Sequence, residues 1–100
     1  MKFTENYAPF EVRITYRGGE INGKLDTDIQ DVAEQFGGED FGAGFFFTTG
    51  ERDLQFGFNK AHGARLLRKR VKSWKHFKRL KGKVKVVEKK PWLDFFEKEL

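Results

Sequence analysis

Residues 10 to 16 alternate strictly, with Phe10, Val12, Ile14 and Tyr16 on one side and Glu11, Arg13 and Thr15 on the other, the signature of a half-buried strand. After Gly18-Gly19 and a polar loop the period changes. Ile29, Val32, Ala33 and Phe36 fall at helical spacing within LDTDIQDVAEQFGG and stop at Gly37-Gly38. Thr27 followed by Gln30 has the form of a capping box, and Asp28 and Asp31 suit the positive end of the helix dipole, so a short amphipathic helix is expected there.

FGAGFFFTTGERDLQFGFN, residues 41 to 59, holds two strand-like runs around Gly50-Glu51. A two-residue turn with Gly50 at its first central position predicts Phe47 opposite Leu54, Phe45 opposite Phe56 and Ala43 opposite Phe58 on one side of the ribbon. Phe46, Thr48 and Gly44 then face Gln55, Asp53 and Gly57 on the other. A three-residue turn would reverse the two sides. With the two-residue turn, Phe45, Phe47, Phe56 and Phe58 are core and Phe46 points out.

Asn59 is placed to cap a helix running from about Lys60 into the high seventies, with Ala64, Leu67, Val71 and Trp74 as its apolar stripe. KVKVVEKK reads as a strand with Val84 and Val86 inward and Lys83 and Lys85 outward, and Pro91 is placed to open a short terminal helix in PWLDFFEKEL. The order strand, helix, strand, strand, helix, strand resembles the ferredoxin-like βαββαβ arrangement, which implies an α+β domain with a four-stranded antiparallel sheet and two helices on one face. The whole chain is expected to be one domain, with a core over residues 10–88, an extension over 1–9 and an aromatic, acidic extension over 89–100. The glycine-rich approach to the second strand, followed by Arg52-Asp53 at the start of the third, resembles small phage-encoded proteins of this topology and unassigned function; that resemblance transfers no site residues.

One hundred residues suffice for a single core without staples, and the absence of Cys removes disulfides, thiolate nucleophiles and thiolate metal sites. With no apolar stretch of signal-peptide length at the N-terminus and no membrane-length run, a cytoplasmic protein without a membrane partner is expected, in an infected bacterial host if the phage resemblance holds. The net charge of +5 conceals a strong asymmetry. Residues 1–59 carry five Lys/Arg against eleven Asp/Glu, residues 60–90 carry fourteen Lys/Arg against Glu88 alone, and residues 91–100 return to a balance of −2.

That asymmetry makes the second helix the strongest functional signal. Arg65, Arg68, Lys69, Lys72, Lys75 and Arg79 gather on one face, where like charges repel and phosphate neutralisation would relieve the repulsion. The contrasting reading balances this face internally against the acidic first helix and the tail. A secondary surface is expected on the outward side of the sheet, where Phe46 would lie with Arg13, Lys83, Lys85 and the bare backbone of Gly44 and Gly57. There the contrasting reading lays Phe46 over the glycines as a filler, or covers it with Trp92, Phe95 and Phe96.

Other chemistry finds little support. Phe56-Gly57-Phe58 resembles the third-strand pattern of the RNA-recognition motif, but Leu54-Gln55 stands in place of its basic-Gly pair and Arg13 in place of a stacking aromatic, so these phenylalanines read as core. His62 and His76, fourteen residues apart, would be about 21 Å apart on one helix, too far for one metal. Arg17-Gly18-Gly19 resembles the acylphosphatase phosphate loop only in having an Arg and Gly, and no Walker A spacing is present. The expectation is a non-catalytic binding protein without cofactor or metal, with nucleic acid as partner. An acidic protein surface, bound by an inhibitor or accessory factor, is the alternative, as is a dimeric structural component joined through Trp92, Phe95 and Phe96.

Overall fold

A computed structural model of the chain describes residues 8–18 and 20–89. Along it run β1 (Phe10–Arg17), α1 (Gly23–Gln35), β2 (Glu39–Phe46), β3 (Glu51–Phe58), α2 (Ala61–Lys72), α3 (Lys75–Arg79) and β4 (Lys83–Glu88). The strands form one antiparallel sheet in the order β2-β3-β1-β4, an α+β architecture with β1 paired on both edges. Pairing continues just past β1, where the Lys89 amide donates to the Pro9 carbonyl at 2.7 Å. The expected terminal helix, and with it Trp92, Phe95 and Phe96, lies outside the described residues.

The alternation in β1 does what it predicts: Val12, Ile14 and Tyr16 are buried while Arg13 is exposed. They join Leu54, Phe56 and Phe58 of β3, Leu25, Ile29, Val32 and Ala33 of α1, Ala64, Leu67 and Val71 of α2 and Phe77 of α3 in one apolar core. Val84 and Val86 of β4 and Trp74 pack half-buried against it. No helix among the described residues is long and apolar enough to cross a membrane.

The helix boundaries differ from the sequence expectation for identifiable reasons. α1 starts one turn earlier, because the Asn22 side chain accepts the Leu25 amide at 3.0 Å and takes the cap. Thr27 is then inside the helix, its hydroxyl donating to the Gly23 carbonyl. α1 ends in a Schellman motif, with the amides of Gly37 and Gly38 on the carbonyls of Glu34 and Ala33 and Gly37 in the left-handed region at φ +89°. At α2 the cap position falls on Lys60 rather than Asn59, with no side-chain bond to the helix.

The long second helix is broken at Ser73 and Trp74. Trp74 is extended at φ −76° and ψ 125°, and the Ser73 hydroxyl donates back to the Arg70 carbonyl at 2.6 Å. A continuous helix would carry Lys78, seven residues after Val71, onto the buried stripe and leave Phe77 at its margin. The break reorients the last turn so that Phe77 is buried and Lys78 exposed.

The β2–β3 hairpin also departs from expectation. Residues 47–50 form a four-residue loop closed by the Gly50 amide on the Phe46 carbonyl at 2.8 Å, with Gly50 at φ +69° in the last loop position rather than the first central one of a tight turn. Phe46 therefore faces Glu51, Phe45 faces Arg52 and Ala43 faces Leu54. Phe46 has exchanged Gln55 for a partner four residues away, an even shift, so each residue of this stretch keeps its expected side of the sheet. Burial changes all the same: Phe56 and Phe58 are core, but Phe45 is only half-buried and Phe47, on the loop, is 90% exposed. Replacing Phe58 by Ala is expected to cost about 3–5 kcal/mol in denaturant unfolding, and Phe47→Ala to stay within about 0.5 kcal/mol of the parent.

Candidate nucleic-acid interface

Small residues let α2 sit close to its neighbours. Gly63 lies so near the Phe36 carbonyl that a Cβ would collide with it, and Ala64, Leu67 and Val71 complete the buried stripe. The remaining circumference is cationic. Arg65, Arg68, Lys69 and Lys72 are exposed at three- and four-residue spacing and border one shallow depression together with Ser73. From Arg65 to Lys72 the helix rises about 10 Å, three base steps of a nucleic-acid strand at 3.4 Å each. Lys75 and Arg79 are exposed on α3, beyond the break. Arg70 stands apart, its guanidinium carbon 5.4 Å from the centre of the Phe36 ring.

Four of the acids are engaged elsewhere. Ion pairs join Arg13 and Lys89 to Glu11, Arg17 to Glu51, Lys24 to Asp28 and Arg52 to Asp26. None of Arg65, Arg68, Lys69, Lys72, Lys75 or Arg79 has an ion pair among the described residues. No ion pair joins this face to acidic α1 among the described residues.

The secondary surface is not assembled as expected. Arg13 and Lys85 are register partners across β1 and β4, with Lys83 opposite Thr15, so these three cations share the outward side of the sheet. Phe46 is 54% exposed on the same side, but its row is Phe46–Glu51–Arg17. Arg13 lies four residues along β1 from Arg17, about 13 Å away. The bare glycine strip is absent as well: Gly44 faces Asp53, and the Phe41 ring lies where a Cβ on Gly57 would be. Phe41 reaches that place because it sits in a bulge between Asp40 and Gly42, where the Gly42 amide donates to the Asp40 side chain at 2.9 Å. The filler over glycine is therefore Phe41 rather than Phe46.

Two polar clusters, one part-buried and one around a buried carboxylate, escaped the sequence reading. Asp26, expected to act only at a helix start, receives the Tyr16 hydroxyl at 2.7 Å on one oxygen and Arg52 Nε at 3.0 Å on the other. Arg52 also donates to the Gly44 carbonyl, and the Asn22 amide donates to the Tyr16 oxygen at 2.9 Å. The cluster thus connects α1, β1, β3 and β2. A signal was present: Arg52 has the parity of the core residues Leu54 and Phe56, and an inward Arg needs a buried acid. Glu11, expected to face solvent, is only 3% exposed and is held by Arg13 and Lys89, each at 2.6 Å.

Burial pushes the Tyr16 hydroxyl up to about 12, with the Asp26 carboxylate adding to the shift and the hydrogen bond from the Asn22 backbone opposing it. Burial also raises the Glu11 carboxyl, but hydrogen bonds from Lys89 and Arg13 outweigh it and hold the group below its ordinary value. His62 lies on α2 and His76 on α3, where His76 Nε2 is 3.2 Å from the Asn22 amide nitrogen. Among the described residues no three His, Asp or Glu side chains gather as a metal-binding group. No protein-family model, curated protein or solved structure matches the chain.

Because the folded state holds the Tyr16 proton more tightly than the unfolded chain does, its contribution is complete below pH 10 and is lost as pH rises toward 12. Denaturant unfolding between pH 9 and 12 is expected to show Tyr16→Phe losing less stability than the parent, by up to about 3 kcal/mol over two pH units. Equal losses would remove Tyr16 as the titrating group.

Proposed function

We propose that the chain is a small non-catalytic binding protein of ferredoxin-like arrangement, with its helices over one face of the sheet, and that it engages nucleic-acid phosphates through α2. The strand order β2-β3-β1-β4 supports the arrangement. The observation that carries the function is the row Arg65, Arg68, Lys69 and Lys72, continued by Lys75 and Arg79, exposed and without an ion pair among the described residues. Cations held at helical spacing on a rigid, core-anchored element neutralise a phosphate backbone without reading its bases, so affinity is set by salt more than by sequence. Arg13, Lys83 and Lys85 form a weaker secondary surface, since Arg13 is already shared with Glu11.

Anisotropy titrations of a labelled duplex across a salt series test this. Four to six neutralised phosphates give a slope of log K against log salt of roughly −4 to −5. The triple change Arg68→Gln, Lys69→Gln, Lys72→Gln is expected to reduce that slope by about 2–3, with affinity falling similarly for unrelated sequences. Binding undetectable at about 50 mM salt for both DNA and RNA, where electrostatic association is strong, would refute the proposal.

A further inference from the structure

The α2–α3 break opens a second feature beside the cationic row. Ser73 borders the depression that carries Arg65, Arg68, Lys69 and Lys72, and the next residue, Trp74, forms a wall of a separate cleft of about 360 Å³. The cleft is completed by Leu25 and by Asn22, Lys24, Asp28 and His76. Trp74 is half-buried, packed against the core and also lining this open space. Its apolar wall has a polar rim: Lys24 Nζ lies 3.6 Å from Asp28 Oδ2, and both side chains are exposed, at 87% and 48%. Asn22 is already committed, its oxygen to the Leu25 amide and its nitrogen toward His76. Asp28 and Lys24, paired with each other at the exposed rim, keep further lone pairs and N–H groups for a ligand edge.

We propose that this cleft receives one unpaired nucleobase of a strand whose phosphates follow the α2 row, the base stacking on the Trp74 indole with its polar edge toward Asp28 and Lys24. The inference rests on the phosphate-binding function proposed above. Three features favour a base. The cleft has room for a planar heterocycle against an aromatic wall. Its rim carries both hydrogen-bonding senses that a base edge needs. Ser73 and Trp74 are consecutive, so the cleft wall begins one residue beyond the last residue bordering the cationic depression. A base locked in a duplex cannot enter, which makes single strands the preferred ligand.

The test uses the full chain with Trp92→Phe, leaving Trp74 as its one indole. The probes are a 12-nucleotide single-stranded DNA, an abasic phosphodiester strand of the same length and charge, and a 12-base-pair duplex. The base-bearing single strand is expected to quench Trp74 emission and to bind about 5- to 150-fold more tightly than the abasic strand. Trp74→Leu is expected to erase that preference while abasic-strand affinity stays within about twofold. Equal affinity for base-bearing and abasic strands with unchanged Trp74 emission overturns base capture and leaves the phosphate row standing. Absence of binding to all three probes removes both. Because the strand comparison uses intact Trp74, it decides the matter even if Trp74→Leu does not fold.

Discussion

The strand β1 has no unpaired edge. Its backbone bonds to β3 on one side and to β4 on the other, its even positions Val12, Ile14 and Tyr16 build the core, and Glu11 and Arg13 tie the opposite side. Placement of the remaining elements follows from these contacts. At one end the Tyr16 hydroxyl and the Arg52 guanidinium converge on Asp26, so the first turn of α1 is fixed to the sheet by charge and hydrogen bonding as well as by Leu25 and Ile29. A partly buried ion pair of this kind contributes modest net stability, but its geometry is demanding: losing either partner leaves the other charge part-buried without its counter-ion. It acts chiefly to exclude other positions of α1.

The same pairings shape the electrostatics of the exterior. Glu11, Asp26, Asp28 and Glu51 are all occupied by cations of β1, α1, β3 or the residue after β4. The asymmetry in the charge distribution therefore survives folding as a surface property. α2 packs through Gly63 and Ala64, and close packing directs its long cationic side chains away from the protein. The break at Ser73 and Trp74 arises from the burial of Phe77, yet it also sets an indole beside the end of the cationic row. A requirement of the core has generated a feature of the surface.

Much of this was legible in one dimension. The alternation of β1, the stripe Ala64, Leu67 and Val71, the paired strands around Gly50 and the exposure of Arg65, Arg68, Lys69 and Lys72 all follow from local periodicity. Even with the hairpin partners displaced by four residues, Phe46 kept its outward side, because a strand's faces depend on parity alone. The company it keeps depends on the absolute register. That is why the expected grouping of Phe46 with Arg13, Lys83 and Lys85 is not found, and why Phe41 rather than Phe46 covers glycine.

What the chain by itself determined was the identity of its elements, the faces they turn inward and the concentration of positive charge after residue 59, since each is set by residues near one another in sequence. Tertiary structure alone decided how far β2 slides along β3, where the long helix breaks, and which acids find which bases. The physical reason is the same in each case. Arg52 and Asp26 are separated by 26 residues, and Phe77 must compete for space with a core assembled from β1, α1, β3 and α2. Such long-range terms enter only after the chain has closed on itself.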